Sequence, residues 1–242
     1  MYPAILSAVG WLCSLVTFVG ILYTLAAAFC ARQFFRRQIG EPADHPAISI
    51  LKPLYGDEIG LQANLEALCR LDYSGEIELI FGVQDPADPA IARVEQLQRD
   101  FPAVTISLTI DPREFGANRK ISNVINIMRS ARHDVIVLSD SDIGIDRDYL
   151  TNMVTELGQA DVGLVTCLYR GHAHAGWWSR LSAMAIDYNF LPSVIFGLKI
   201  GLATPCFGST IALRRSVLQQ IGGFEAFADH LADDNAIGEA VR

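Results

Sequence analysis

The chain opens on an uncharged stretch: from Met1 to Ala31 there is no acidic or basic side chain. As a helix, "AILSAVGWLCSLVTFVGILYTLAAAFCA" would run roughly 40 Å at 1.5 Å per residue. That exceeds a hydrocarbon core of about 30 Å, so the stretch predicts a membrane span with some tilt. A cleaved signal peptide would carry its positive charge ahead of a shorter apolar region. Here the charges follow, as Arg32, Arg36 and Arg37 in "ARQFFRRQ". The pattern predicts an uncleaved anchor over 1–31, the only span expected in this chain. The positive-inside rule puts everything after it in the cytoplasm, at the inner (plasma) membrane of the cell.

After a polar, Pro-containing linker ("GEPADHPA", within 32–47), β-type runs and helical periodicities take turns. "AISILKPL" predicts a strand, and Leu61, Leu65 and Leu68 then recur at helical spacing. "IELIFGV" predicts the next strand. Asp88-Pro89 reads as a helix start, and Ile91, Val94 and Leu97 share one face. "VTISLTI" is followed by a helix carrying Ile121, Val124, Ile125 and Met128. "DVIVLS" precedes Leu150, Met153, Val154 and Leu157, and "VGLVTCLY" is a fifth strand. Such alternation predicts an α/β fold with a mostly parallel sheet, over residues 48–242. The run 188–207 is also apolar, but Pro192, Lys199 and Pro205 interrupt it, which argues against a second span. It reads either as buried core or as a segment lying against the bilayer.

Composition narrows the classes. Half of the residues are apolar (51%), and the net charge of −8 disfavours nucleic acid as a partner. The five cysteines show no metal-type spacing, so reduced, packed thiols are expected.

In open parallel sheets, ligands bind beyond the carboxyl ends of the strands. Those ends deliver Lys52, Asp85, Asp140 and Asp142. Asp140 and Asp142 lie two apart in extended chain and can face one cation. Magnesium or manganese takes oxygen ligands of this kind, together with substrate phosphates. Asp146 and Asp148 repeat the spacing and read as caps for the next helix. Arg119 and Lys120 stand at a helix start, where bases oppose the dipole unless an anion docks nearby. Asp233 and Asp234 read either as N-caps or as a carboxylate general base. His172 and His174 lack a third ligand in their neighbourhood, and Trp177 and Trp178 suit packing or an interface.

The ordered set "LKPLYGDE", "LDYSGEIELIFGVQDPADPAI", "NRKISNV", "LSDSDI", "GSTIALRRSVLQQIGGF" and "LADDNA" resembles the ceramide glucosyltransferase family, whose bacterial members include hopanoid-associated glycosyltransferases. The resemblance implies a Rossmann-like GT-A domain and an inverting transfer of glucose or N-acetylglucosamine from a UDP-sugar donor to a membrane lipid hydroxyl at the bilayer. It implies that Asp85 lies near the uridine and that Lys120 contacts the nucleotide; Lys52, named by its strand-end position, and Asp140 complete the expected nucleotide-sugar site. It further implies Asp140 and Asp142 as ligands of Mg2+ or Mn2+, and Asp234 as catalytic base. The family continues to a Gln/Arg-x-x-Arg-Trp motif beyond Arg242, so a longer protein is expected. Two rivals remain: a nucleotidyltransferase, for which "LKPLYGDEIG" is a poor phosphate loop, and a non-catalytic, membrane-tethered nucleotide- or metal-binding module.

Overall fold

A computed structural model describes residues 2–242; Met1, the first residue of the expected anchor, lies outside them. The chain divides into two compact units. One comprises residues 2–38 and Tyr169–Thr204, the other Ile39–Leu168 and Pro205–Arg242.

The first unit begins with helix α1, Tyr2–Phe34, whose apolar residues are largely exposed. Its partner is the later segment. Ahead of that segment in the chain come β1 (Ile48–Pro53), α2 (Leu61–Cys69), β2 (Ile77–Val83), α3 (Ala90–Asp100), β3 (Thr105–Ile110), α4 (Arg119–Met128), β4 (Val135–Ser139), α5 (Tyr149–Leu157) and β5 (Leu164–Thr166). Helices α6 (Gly176–Ala185) and α7 (Leu191–Lys199) then return to the first unit. A π-helical turn at Ile186–Phe190 joins them into one helix of 24 residues. The sequence reading has Pro192 interrupting this run. In the structure Pro192 falls in the first turn of α7, and the wide π turn before it absorbs the missing N–H. Tyr23 of α1 meets Phe196 of α7 edge to face, with ring centroids 5.3 Å apart.

The second unit is one six-stranded sheet, completed by β6 (Thr210–Arg214) and flanked by α8 (Arg215–Gln220) and α9 (Asp233–Val241). Strand order is β3-β2-β1-β4-β6-β5. β1 to β4 run parallel, and β6 pairs antiparallel with both β4 and β5. The mostly parallel sheet is as expected. Strand β6 was not foreseen, and the fifth strand is shorter than "VGLVTCLY" suggests.

β1 is buried at every position, Ser49 and Lys52 included, because both faces are covered. Leu61, Leu65, Val94, Leu97, Leu150 and Met153 from α2, α3 and α5 pack on one face. Ile121, Val124 and Ile125 from α4 cover the other with Leu218, Phe224 and Ile237. The chain lays down β1, β2 and β3 in one direction and then steps back across β1 to β4. That reversal opens a crevice at the carboxyl ends of β1 and β4.

Candidate active site

The crevice is a cavity of about 450 Å³, lined by Leu54, Tyr55 and Glu58 after β1, Asp85 after β2, Arg119, Lys120 and Asn123 of α4, and Asp140 and Asp142 after β4. Five of the residues singled out in the sequence, Asp85, Arg119, Lys120, Asp140 and Asp142, therefore converge on it from three elements.

Helix α4 delivers the base. Asn118 caps it by accepting the Ile121 amide at 3.1 Å, and its own amide donates to Asp233 Oδ1 at 3.1 Å. Two residues on, Lys120 Nζ reaches Asp140 Oδ1 at 2.7 Å and stands 3.7 Å from Asp233 Oδ2. Burial works against the Lys120 charge, yet Asp140 and Asp233 outweigh it and hold the ammonium above its usual pKa. Burial pushes the Asp140 carboxyl up, and Lys120 opposes that shift. A close ion pair should lower the acid. Asp140 stays raised because burial outweighs the pair, and the nearby Asp142 and Asp233 carboxylates add to the rise, leaving a local surplus of negative charge.

That surplus bears on a metal. Among the described residues no cluster of three or more His, Cys, Asp or Glu is arranged to hold one. Asp140 and exposed Asp142 offer two oxygen donors at the cavity wall. This set fits Mg2+ or Mn2+, which keep water and phosphate oxygens for their remaining positions.

Lys52 corrects its expected place. It is 1% exposed and does not line the cavity. Its ammonium donates to Ser139 Oγ at 3.1 Å and to the Asp140 carbonyl at 2.6 Å, beneath the turn that carries Asp140 and Asp142. Burial pulls its pKa down to about 8, against the pull of Asp140, Asp142 and Glu58. A side chain at a strand end can point into the site or under it, and sequence alone does not distinguish the two.

The two acids of α9 also part ways. Neither is a cap: Ala232 holds the N-cap position, without a side-chain bond. Asp233 is buried, and its Oδ2 has no hydrogen bond among the described residues. Asp234 is half-buried, its Oδ2 accepting the Gly208 amide at 2.9 Å. A β-carbon built on Gly208 would stand 3.3 Å from Asp234 Oδ2 and 3.4 Å from Lys120 Nζ, so both side chains lie against this glycine. Asp148 stands at the N-cap of α5, but its carboxylate accepts the Asn152 amide instead of a backbone N–H.

Sequence reasoning missed Tyr55 and Glu58. Both follow β1 directly in "LKPLYGDE", so their place after a parallel strand was the available signal. Glu58 accepts the Ser141 hydroxyl at 2.7 Å, tying the β1 loop to the Asp140-Asp142 turn. Asp88 secures the same loop, accepting the Gly56 and Ala90 amides at 3.0 and 2.8 Å.

The chain is similar to known proteins. Ceramide glucosyltransferase 1 of Caenorhabditis elegans is 24% identical over 227 residues, covering 93% of this chain and 48% of that protein. Ceramide glucosyltransferase 3 of the same organism is 27% identical over 233 residues, covering 91% and 48%. The chain thus spans about half the length of the curated relatives it matches. Among solved structures, the mannosyltransferase PcManGT from Pyrobaculum calidifontis, in complex with GDP-Man and Mn2+, superposes with a TM-score of 0.66 at 22% identity, over 93% of this chain and 61% of that one. TarS 1–349 from S. aureus gives 0.55 at 16% identity, over 81% and 55%. These likenesses establish the expected GT-A fold. The model of glycosyl transferase family 21 matches residues 12–242, and the chain belongs to that family.

Proposed function

We propose that the chain is the donor-binding part of a membrane-bound inverting glycosyltransferase, moving a hexose from a UDP-sugar to a lipid hydroxyl such as that of ceramide or a hopanoid. The observation that carries this reading is the Lys120–Asp140 pair, 2.7 Å across, in a switch-point cavity of a family 21 chain. The C. elegans relatives, named as ceramide glucosyltransferases, support the lipid acceptor and the glucosyl donor. The 30-residue apolar stretch Ile5–Phe34 supports the anchor, with the sheet on its cytoplasmic side by the charge rule.

Asp85 takes the uridine end of the cavity, and Lys120 the diphosphate. Mg2+ or Mn2+ held by Asp140 and Asp142, when bound, neutralises charge on the departing diphosphate. Lys52 positions that pair from below through Ser139 and the Asp140 carbonyl. Asp234, half-buried, takes the acceptor hydroxyl proton while the lipid oxygen bonds to the anomeric carbon. The carbon–oxygen bond to UDP breaks on the opposite face, its electron pair leaving on the phosphate oxygen, so the centre inverts. Asp233, buried and 3.7 Å from the Lys120 ammonium, holds the lysine in place.

The test is calorimetric binding of UDP to the full chain in detergent, with and without Mn2+, beside Asp140→Ala and Asp142→Ala. Metal-dependent binding lost in both variants supports the reading. Metal-independent binding, or binding that survives both changes, overturns the site. Transfer from UDP-glucose against UDP-N-acetylglucosamine, to ceramide against hopanoid, then fixes the substrates.

A further inference from the structure

The segment that leaves the sheet after β5 and returns at β6 contains the second long apolar helix, Gly176–Lys199. By length it can cross a bilayer, at roughly 36 Å for 1.5 Å per residue. Its connectivity forbids this. β5 pairs with β6 through Leu164↔Leu213, Val165↔Ala212 and Thr166↔Ile211, and β6 pairs with β4. Both ends of the excursion therefore enter one folded sheet on one side of a membrane. A segment that leaves and returns on the same side crosses an even number of times. Neither residues 169–175 nor residues 200–204, the parts of the excursion outside the helix, can make a second crossing, since seven and five residues extend at most about 25 and 18 Å against a core of about 30 Å.

The helix is not core either: 11% of its apolar window is buried. Trp177, Leu181, Met184 and Tyr188 recur at spacings of four, three and four, forming one exposed stripe beside Trp178. The two tryptophans are 76% and 83% exposed. The far end is fixed in depth. Ile195, Leu198 and Lys199 line one groove with Cys30, Phe34 and Arg36, so the helix ends level with the basic end of α1. Among the described residues, neither Arg36 nor Lys199 is paired with a carboxylate, which suits them to phosphate headgroups.

Resting on the reading of α1 as a membrane anchor, we infer that Gly176–Lys199 is an in-plane helix whose partner is the lipid surface. It lies along the face of the bilayer to which α1 tethers the sheet. Trp177, Trp178, Leu181, Met184 and Tyr188 enter the headgroup–acyl boundary, and Lys199 stays among the headgroups. The surface is continuous with α1, against which α7 packs through Tyr23 and Phe196. A helix held this way stations an apolar strip where a lipid acceptor leaves the bilayer.

Trp11, Trp177 and Trp178 are the three tryptophans of the chain, which makes depth measurable. The full chain is reconstituted into phosphatidylcholine–phosphatidylglycerol vesicles brominated either near the headgroup or near the acyl-chain end. The Trp11→Phe variant then reports Trp177 and Trp178, and the double variant Trp177→Phe/Trp178→Phe reports Trp11. For Trp177 and Trp178 the expected result is roughly twofold stronger quenching by shallow bromines, as a depth of about 5–10 Å requires. Strongest quenching by deep bromines, or quenching by aqueous iodide alone, overturns the inference. Trp11 separates the two readings. If deep bromines quench it while Trp177 and Trp178 answer only to iodide, the anchor stands and the in-plane helix falls. If Trp11 is not quenched, the anchor itself fails and the inference with it.

Discussion

Lys120 Nζ lies 2.7 Å from Asp140 Oδ1, a contact between the start of a helix and the end of a strand that are separate in sequence. It places one ammonium among several carboxylates at the point where the sheet reverses its order. Replacing Lys120 by Met leaves those carboxylates facing the donor phosphates. UDP affinity is expected to fall by roughly 30-fold or more, about 2 kcal/mol, the lower end of what unpairing a buried charge costs. Calorimetry checks this, and an unchanged Kd would remove Lys120 from the donor site.

Asp233 and Asp234 should separate by readout. Asp234→Asn is expected to cut transfer to the lipid about 100- to 10,000-fold, with UDP affinity within about twofold of wild type. Asp233→Asn loosens the support behind Lys120, so its main effect falls on UDP binding. The reverse pattern in a transfer assay paired with calorimetry would exchange their roles.

Gly82, inside β2, marks where α4 presses onto the sheet. Its carbonyl accepts the Asn123 amide at 2.8 Å, and an added β-carbon would overlap Ile127 Cγ2 and Asn123 Oδ1. Gly82→Ala should lower stability by about 1–3 kcal/mol, the usual cost of overpacking. Because α4 carries Lys120, UDP binding should weaken with it. A wild-type urea midpoint would show that the helix can shift without loss.

Lys52 gives a pH signature. Burial lowers its pKa from 10.5 to about 8 in the folded chain. Between those values the unfolded chain holds the extra proton, so stability rises with pH across the interval, by about 3 kcal/mol at 1.36 kcal/mol per unit. Below about pH 8 the burial cost is present in full. Lys52→Met abolishes this slope, and the difference between the two unfolding curves isolates its contribution. Parallel curves would show that the buried ammonium is not charged as described.

How much of this could be read from sequence depends on burial. β1, β2 and β4 are buried at nearly every position, so their apolar character is legible, while β3, half-buried at the sheet edge, shows in its β-branched residues. β6 escaped notice because "TIALR" is short, ends in a base and pairs antiparallel, which no run length reveals. β5 is half-buried at the sheet edge, and its pairing is confined to Leu164–Thr166. In the site, Asp85, Asp140 and Asp142 were legible because a strand end is a fixed address. Lys52 had the same address and the opposite orientation. Asp233 was singled out as a cap or a base, but its contact with Lys120 was not legible because it joins residues more than a hundred positions apart.

The sheet order also sets a sequence of assembly. β4, which carries Asp140 at its end, has β1 on one side and stays an open edge on the other until β6 is synthesised. At about 5–20 residues per second, the intervening stretch occupies the ribosome for several seconds. Within that interval the apolar helix Gly176–Lys199 emerges, while α1 has long been available to tether the nascent chain. An unpaired edge strand invites aggregation. On the in-plane reading that helix can meet lipid before β6 and the two acids of α9 are made, so the candidate nucleotide site is the last part of the sheet to close.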